Sequence, residues 1–360
     1  MIPFTLQRLG TIMIPEPGNE LETEGVLNPA VTRGPDGALY LFPRLVAATN
    51  YSRIGIARVK FNEAGDPVGV DRLGIALQPE ADYEKRPIGG GGCEDARVTY
   101  VEPLRAYIMT YTAFGPDGPR IAMAKSTDLF NWERLGLVRY LPYEHIDFNG
   151  IDNKDASFFP AAISSPRGHL SIGMLHRPLF PGTRPEETLK QAKGREIDRQ
   201  KESIWISYYN LGQDATMQYA RFTSNHRLAC PIEPWENLKI GAGAPPVLTR
   251  HGWMIVYHGV HELEGSTASS PKLCYSAGVM FLSEKDPQKI LYRSPEPILV
   301  PELPEETIGT IGNVVFPTGT DRRDDIGQPN RIDVYYGMAD DRIGVAKMDL
   351  PDTLPGLSNG

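Results

Sequence analysis

Five times along this chain a short β-type run is followed by a second one of similar make, and that repeat constrains the fold more than any other feature. The first runs are ALYLFPRL (38–45), AYIMTYT (106–112), LSIGMLH (170–176), WMIVYHG (253–259) and IDVYYGM (332–338). Their partners are RIGIARV (53–59), RIAMAKS (120–126), SIWISYY (203–209), KLCYSAGVMF (272–281) and RIGVAKM (342–348). Starts of the first runs are spaced by about 60 to 85 residues, longer than common propeller repeats but of the same kind. With 36 Gly and 32 Pro as punctuation and few stretches of helical period, the expected fold class is all-β. A pair of runs plus flanking β segments makes a four-stranded blade. Five such units predict a five-bladed β-propeller, one catalytic domain over 1–360, with inner strands lining a central funnel. A two-sheet sandwich is the competing arrangement.

Two segments depart from this plan. RPEETLKQAKGREIDRQKES (184–203) is charged almost all round, with only Leu189, Ala192 and Ile197 on a stripe. It reads as a short exposed helix inserted between the two strands of the third unit: a solvated excursion, a subunit contact or a lid. The tail PDTLPGLSNG (351–360) reads as coil.

The net charge of −8 points away from nucleic acid and from anionic membrane surfaces as partners. No apolar run approaches the ~20 residues of a membrane-spanning helix. The start, MIPFTLQRLG, lacks the pattern of a secretory signal. Cys93, Cys230 and Cys274 are odd in number and scattered, which suits a reducing cytoplasm. None forms a CxxC pair. His258 and His261 are three apart in what reads as a loop beside Gly259, so no metal site is expected.

Residues 89–114, GGGGCEDARVTYVEPLRAYIMTYTAF, raise the question of phosphate binding. A P-loop needs Lys-Ser/Thr and a helix after its glycines, and a dinucleotide fingerprint needs strand, turn and helix. Here the glycines run into Cys93-Glu94-Asp95 and a strand, so neither fits. What remains is a flexible turn that lets backbone approach a ligand and delivers Glu94, Asp95 and Arg97 to the funnel. Alone, Asp95 beside Arg97 would read as a structural ion pair. Three other clusters join it: Arg44 and Arg53 in RLVAATNYSRIG, Lys154 and Asp155 in NKDASFFP, and His176 and Arg177 in MLHRP. Cations from three successive units would make an anion site in an acidic protein, and guanidinium plus ammonium matches phosphate. The competing reading of His176 is a satisfied core histidine. Trp205, Trp235, Trp253, Tyr111 and Phe114 could stack on sugar faces or pack the core.

These motifs, with GVLNPAV (25–31), IAMAKSTDLFNWERLGLV, GAGAPPVLTRHGWMIVYHG, ILYRSPEPIL, GNVVFPTG and YYGMADDRIGVA, stand in an order that resembles glycoside hydrolase family 130, the inverting β-mannoside phosphorylases. The resemblance implies a five-bladed propeller. It implies Asp95 as the catalytic acid, and phosphate contacts at Arg53, Lys154 and His176 with Tyr257 or His258 of VYHG. Sugar contacts are implied at Asn28, Arg44 and Asp340, with Arg97 and Asp155 beside them. The family's proline after the aspartate is Ala96 here, which would loosen the backbone next to the acid.

An inverting hydrolase needs two separated carboxyl groups, an acid and a base for water. Phosphate is already an anionic nucleophile, so a phosphorylase needs one acid and a cationic cradle. The resemblance implies protonation from the aspartate through the mannose 3-hydroxyl, giving α-mannose 1-phosphate and a shortened acceptor. The expected partners are a mannose-containing oligosaccharide and inorganic phosphate as co-substrate, with no other cofactor. Members of the family often assemble, so a homo-oligomer is compatible with the resemblance. The alternatives are a β-mannosidase of the same family, in which the basic phosphate contacts are replaced, and a non-catalytic carbohydrate-binding propeller. β-1,4- and β-1,2-specific phosphorylases share the core motifs, so linkage rests on acceptor-side loops.

Overall fold

The computed structural model describes residues 4–86, 89–142, 146–180, 201–212, 217, 220–267 and 269–355. They form an all-β protein built from five antiparallel four-stranded units. The first unit is Gly25–Arg33, Leu39–Ala47, Tyr51–Phe61 and Pro67–Leu77; the second is Gly91–Val101, Ala106–Gly115, Gly118–Ser126 and Glu133–Leu137. A parallel bridge from Tyr51 and Ser52 to Gly91 and Gly92 joins these two into one eight-stranded sheet. The third is Asp152–Phe158, Leu170–Leu179, Ile204–Asn210 and Arg221–Ala229, extended by Arg139–Tyr140 and Ile163–Ser164. In the fourth, Lys239–Ala242 and Val247–Thr249 share one edge of Gly252–Glu262, followed by Leu273–Leu282 and Ile290–Arg293. The fifth, Val315–Arg322, Arg331–Met338 and Arg342–Asp349, takes its last strand, Gln7–Met13, from the other end of the chain.

The ten repeated runs are all strands, but each first run is the second strand of its unit. It is sandwiched between two cores, which is why it reads as near-continuous apolar sequence. Phe42 and Ile54 of the first unit pack with Met109 and Tyr111 of the second. Ile108 and Met123 pack with Met174 and Trp205 of the third, and Leu175 and Ile206 with Ile255 and Tyr257 of the fourth. Val256 and Phe281 meet Val334 and Tyr336 of the fifth, and Tyr335 and Val345 return to Leu41 and Leu45 of the first. The contacts close in a ring.

Three units carry the same buried polar lock. The Glu84 carboxylate, which precedes the second unit, accepts from the Tyr111 hydroxyl (2.6 Å), Arg134 Nε (2.9 Å) and the backbone N–H of Glu80 and Ala81. Glu236 is held likewise by Tyr257 and Arg293, and Glu306 by Tyr336 and Arg8. Each lock ties a loop to the second and fourth strands of its own unit, and every buried oxygen finds a donor.

The strands that precede the repeated runs were not legible as a repeat, because they are broken by bulges. Register shifts fall between Leu27 and Ala30, Glu94 and Arg97, and Lys154 and Ser157. The residues inside them, Asn28, Asp95 and Asp155, have φ of 45°, 49° and 54°. Asn and Asp tolerate this left-handed conformation best among non-glycine residues, and a bulge re-aims the side chain it contains.

The tail over 351–355 contains neither helix nor strand, as expected. Of the expected helix over 184–203, residues 184–200 lie outside the described residues, and Lys201–Ser203 are not helical. No helix among the described residues is long and apolar enough to cross a membrane.

Candidate active site

The three bulges bring their side chains to one place. Asp95 Oδ1 accepts from Asn28 Nδ2 at 2.9 Å and lies 3.4 Å from Arg44 Nη1. Arg44, on the second strand of the first unit, also donates to Glu94 Oε1 (3.0 Å), Asn50 Oδ1 (3.1 Å) and Ser52 Oγ (2.9 Å). Lys154 Nζ, from the third unit, stands 3.9 Å from Glu94 Oε2. Asp340, in a tight turn of the fifth unit at φ 51°, faces the same charges.

Below this lies a second, drier cluster. Arg97 is wholly buried, and it is not the side-chain partner of Asp95. Its Nε donates to the Gly243 carbonyl (2.6 Å) and its Nη1 to the carbonyls of Asp95 (2.8 Å) and Ala96 (3.2 Å). The backbone beside the acid is therefore pinned by Arg97, which supplies the rigidity expected to be lost with Ala96 in place of proline. Asp155 accepts from Arg177 Nε at 2.5 Å, lies 4.0 Å from Arg97 Nη2 and 3.6 Å from His258 Nε2. Arg177 pairs as well with Glu202. The His258 ring packs 4.3 Å from the Phe316 ring, centroid to centroid. Gly241 is required here, since a Cβ would come 2.3 Å from Asp155 Oδ2 and 2.4 Å from His258 Cε1. Arg97 Nη2 and both ring nitrogens of His258 are buried without a hydrogen-bond partner.

Charge follows from this packing. Burial would raise the Asp95 carboxyl, but Arg44, Arg97 and Lys154 outweigh it and hold it below the ordinary carboxylate value. Asp155 is held well below the ordinary value too, burial being outweighed by Arg177, His258 and Arg97 together. Burial, with help from Asp95 and Glu94, lifts Asp340 to about 6 against the pull of Arg44 and Lys154. His258, lowered by burial to about 3, is a neutral imidazole at pH 7.

Asn28, Arg44, Asp95, Arg97, Lys154, Asp155, His258 and Asp340 thus share one region, but two expected members, His176 and Tyr257, are engaged elsewhere. His176 is fully buried on the opposite face of the third unit. Its Nδ1 lies 3.0 Å from Asn153 Nδ2 and its Nε2 2.7 Å from Ser207 Oγ, and Tyr140 and Phe148 cover the ring. Burial lowers it to about 3, so it is the satisfied core histidine. Asn153 faces His176 while Lys154, one residue on, faces Glu94, as strand alternation requires. Tyr257 belongs to the polar lock around Glu236. Arg53 points to the face of its strand opposite Ser52, its guanidinium 4.7 Å from the Tyr51 ring, and its Nη1 is likewise buried without a hydrogen-bond partner. His258 and His261 lie on a strand rather than in a loop, and His261 turns to the Trp235 carbonyl. Among the described residues no group of three His, Cys, Asp or Glu side chains is arranged for a metal. Tyr111, Trp205, Trp235 and Trp253 are core residues; Phe114 is half-buried at the edge of the site. Phe316, Gly241 and Gly243 are not singled out by the sequence; the GNVVFPTG and GAGAPP motifs that contain them are its signal.

Two bulge-held carboxyls amid buried cations on an all-β scaffold accord with a carbohydrate-active enzyme. Residues 8–355 match the glycoside hydrolase family 130 profile, described as beta-1,4-mannooligosaccharide phosphorylase, and the chain belongs to that family. It is 32% identical over 349 residues to a 1,2-beta-oligomannan phosphorylase of Thermoanaerobacter sp. (strain X514), covering 95% of each chain. It is also 32% identical over 261 residues to a beta-1,2-mannobiose phosphorylase of the same strain, covering 72% of this chain and 67% of the relative. The solved structure of a beta-1,2-mannobiose phosphorylase from Listeria innocua, in complex with beta-1,2-mannobiose, superposes with a TM-score of 0.68. That match is 22% identical and covers 96% of this chain and 97% of the other.

Proposed function

We propose that the protein is an inverting β-mannoside phosphorylase built on a five-bladed propeller, the five units being blades around the Asp95 site. The closed ring of cores supports the architecture, and the phosphorylase relatives support the activity. The observation that carries the chemistry is the pairing of one acid with unspent donors. Asp95 is oriented by Asn28 and Arg44, while Arg97 Nη2 and the neutral His258 ring, which has one N–H to give, are buried without a hydrogen bond beside the Asp155 carboxylate. Lys154, Arg97 and His258 are assigned to phosphate; Asn28, Arg44 and Asp340 to the mannosyl group.

In this reading a phosphate oxygen attacks the anomeric carbon from the face opposite the leaving group. The glycosidic C–O bond breaks, and the leaving oxygen takes the Asp95 proton through the mannose 3-hydroxyl. The products are α-mannose 1-phosphate and the shortened acceptor. Charge couples the two substrates. Arg44, Arg97 and Lys154 depress Asp95 in the free protein, and a bound phosphate dianion offsets part of that pull, which favours the protonated acid when the co-substrate is present. Glu94 and Asp155 are each engaged by arginine and are unsuited to serve as a hydrolytic base. The three free cysteines accord with a reducing, cytoplasmic setting.

A hydrolase has one point in its favour. Asp340 is lifted to about 6 and has no hydrogen-bond partner among the described residues, so its carboxylate is free to activate water. Incubation with β-1,2- and β-1,4-mannobiose, with and without phosphate, separates the readings. Sugar phosphate formed only with phosphate is the expected result, whereas free mannose independent of phosphate identifies a hydrolase.

A further inference from the structure

The glycine run ahead of Cys93 brings a cation to the site. At Gly91, with φ +71°, a Cβ would stand 2.3 Å from the Phe114 carbonyl oxygen and 2.7 Å from Cδ of Arg86. Gly92 is as crowded, with the Ser52 carbonyl oxygen at 2.3 Å. What the missing side chain at Gly91 admits is the aliphatic stem of Arg86, which crosses it and sets its guanidinium carbon 4.5 Å from the Phe114 ring centroid. Lys154 Nζ, arriving from the third unit, lies 5.6 Å from the same centroid and 3.9 Å from Glu94.

Two cations therefore meet at one half-buried ring on the edge of the site. Arg44, Arg134, Arg177 and Arg293 are each held by a carboxylate, whereas Arg86 has no carboxylate partner among the described residues. The ring face offsets only part of that charge, and a second cation on the same ring adds to the positive charge available to an anion there. We infer that Arg86 is a further phosphate-binding residue, acting with Lys154 across Phe114 on the phosphate oxygens that point away from the sugar. The planar guanidinium supplies two parallel donors where Lys154 supplies a point charge. Gly91 is then part of the site, because any side chain there would displace Arg86.

The inference rests on the phosphorylase reading above, and one kinetic series separates the two. Phosphorolysis of mannobiose is measured against phosphate and against mannobiose for the parent, Arg86→Gln and Arg86→Lys. The glutamine variant keeps a stem over Gly91 and removes the charge, so the turn stays packed. The expected result is a rise of about tenfold or more in KM for phosphate with Arg86→Gln, the effect of losing a charge-assisted hydrogen bond. KM for mannobiose should stay within about twofold, and Arg86→Lys should restore part of the loss. A parent with phosphate-dependent turnover and an Arg86→Gln variant whose phosphate KM is unchanged overturns the role of Arg86 alone. A rise confined to KM for mannobiose overturns it too and makes Arg86 an acceptor contact. A parent with no phosphate dependence overturns the phosphorylase reading and this inference together.

Discussion

Asp340→Asn should make the protein more stable above neutral pH and leave it nearly unchanged in acid. The Asp340 carboxyl is half-buried at a turn of the fifth unit and sits at about 6 against an ordinary value of 3.8. The folded protein therefore binds this proton more tightly than the unfolded chain does. Stability from this group is greatest below about pH 4, falls as pH rises from about 4 to about 6, and carries its full penalty above that. At about 1.4 kcal/mol per pH unit the whole shift corresponds to about 3 kcal/mol. The carboxyl keeps some solvent contact, and screening reduces that to about 1–2 kcal/mol. Asparagine has nearly the same shape and no charge to bury. With an unfolding entropy of about 2.1 cal/mol/K per residue over 360 residues, the gain corresponds to about 1–3 °C in Tm. Differential scanning fluorimetry from pH 4 to 8 measures it. The expected trace is a parent-to-variant difference that opens between pH 4 and 6 and then stays constant. A difference independent of pH, or a less stable variant at pH 7.5, would refute the electrostatic account. Catalysis should move the other way, since the lost carboxylate faces the mannosyl site, and the pair would then trade stability for function.

Asp95→Asn should cost ~10²–10⁴-fold in phosphorolysis of a natural disaccharide and much less with a nitrophenyl mannoside, whose leaving group needs little protonation. Turnover of the disaccharide within about threefold of the parent would remove Asp95 as the acid. The core placements of His176 and Tyr257 make a paired prediction, read by thermal melts and phosphate titrations. His176→Ala should destabilise by about 2–4 kcal/mol through the hydrogen bonds lost to Asn153 and Ser207 and the cavity left by the ring. Tyr257→Phe should cost about 1–2 kcal/mol, as should Tyr111→Phe and Tyr336→Phe, since the three hydroxyls do one job. In all of these KM for phosphate should stay within about twofold; a selective rise for His176→Ala would return that residue to the anion site.

The strand content of this chain was legible because it is local. Second and third strands of each unit are buried on both faces, so their apolar runs need no partner to be recognised. The chemistry-bearing residues were legible as types, since Glu94-Asp95, Lys154-Asp155 and Arg44 are costly to bury without a purpose. The faces those residues occupy were not. In a strand, parity decides the face, and a single bulged residue reverses it for everything beyond. Lys154 reaches Glu94 while its neighbour Asn153 serves His176, and no local signal in NKDASFFP separates the two. Tyr257 and His258 stand side by side in VYHG, yet one locks Glu236 and Arg293 and the other looks across at Asp155. Their partners lie 21, 36 and 103 positions away in the chain. The residue types were thus set by the sequence itself, but which buried nitrogens are left without a hydrogen bond was decided only when the units packed on one another.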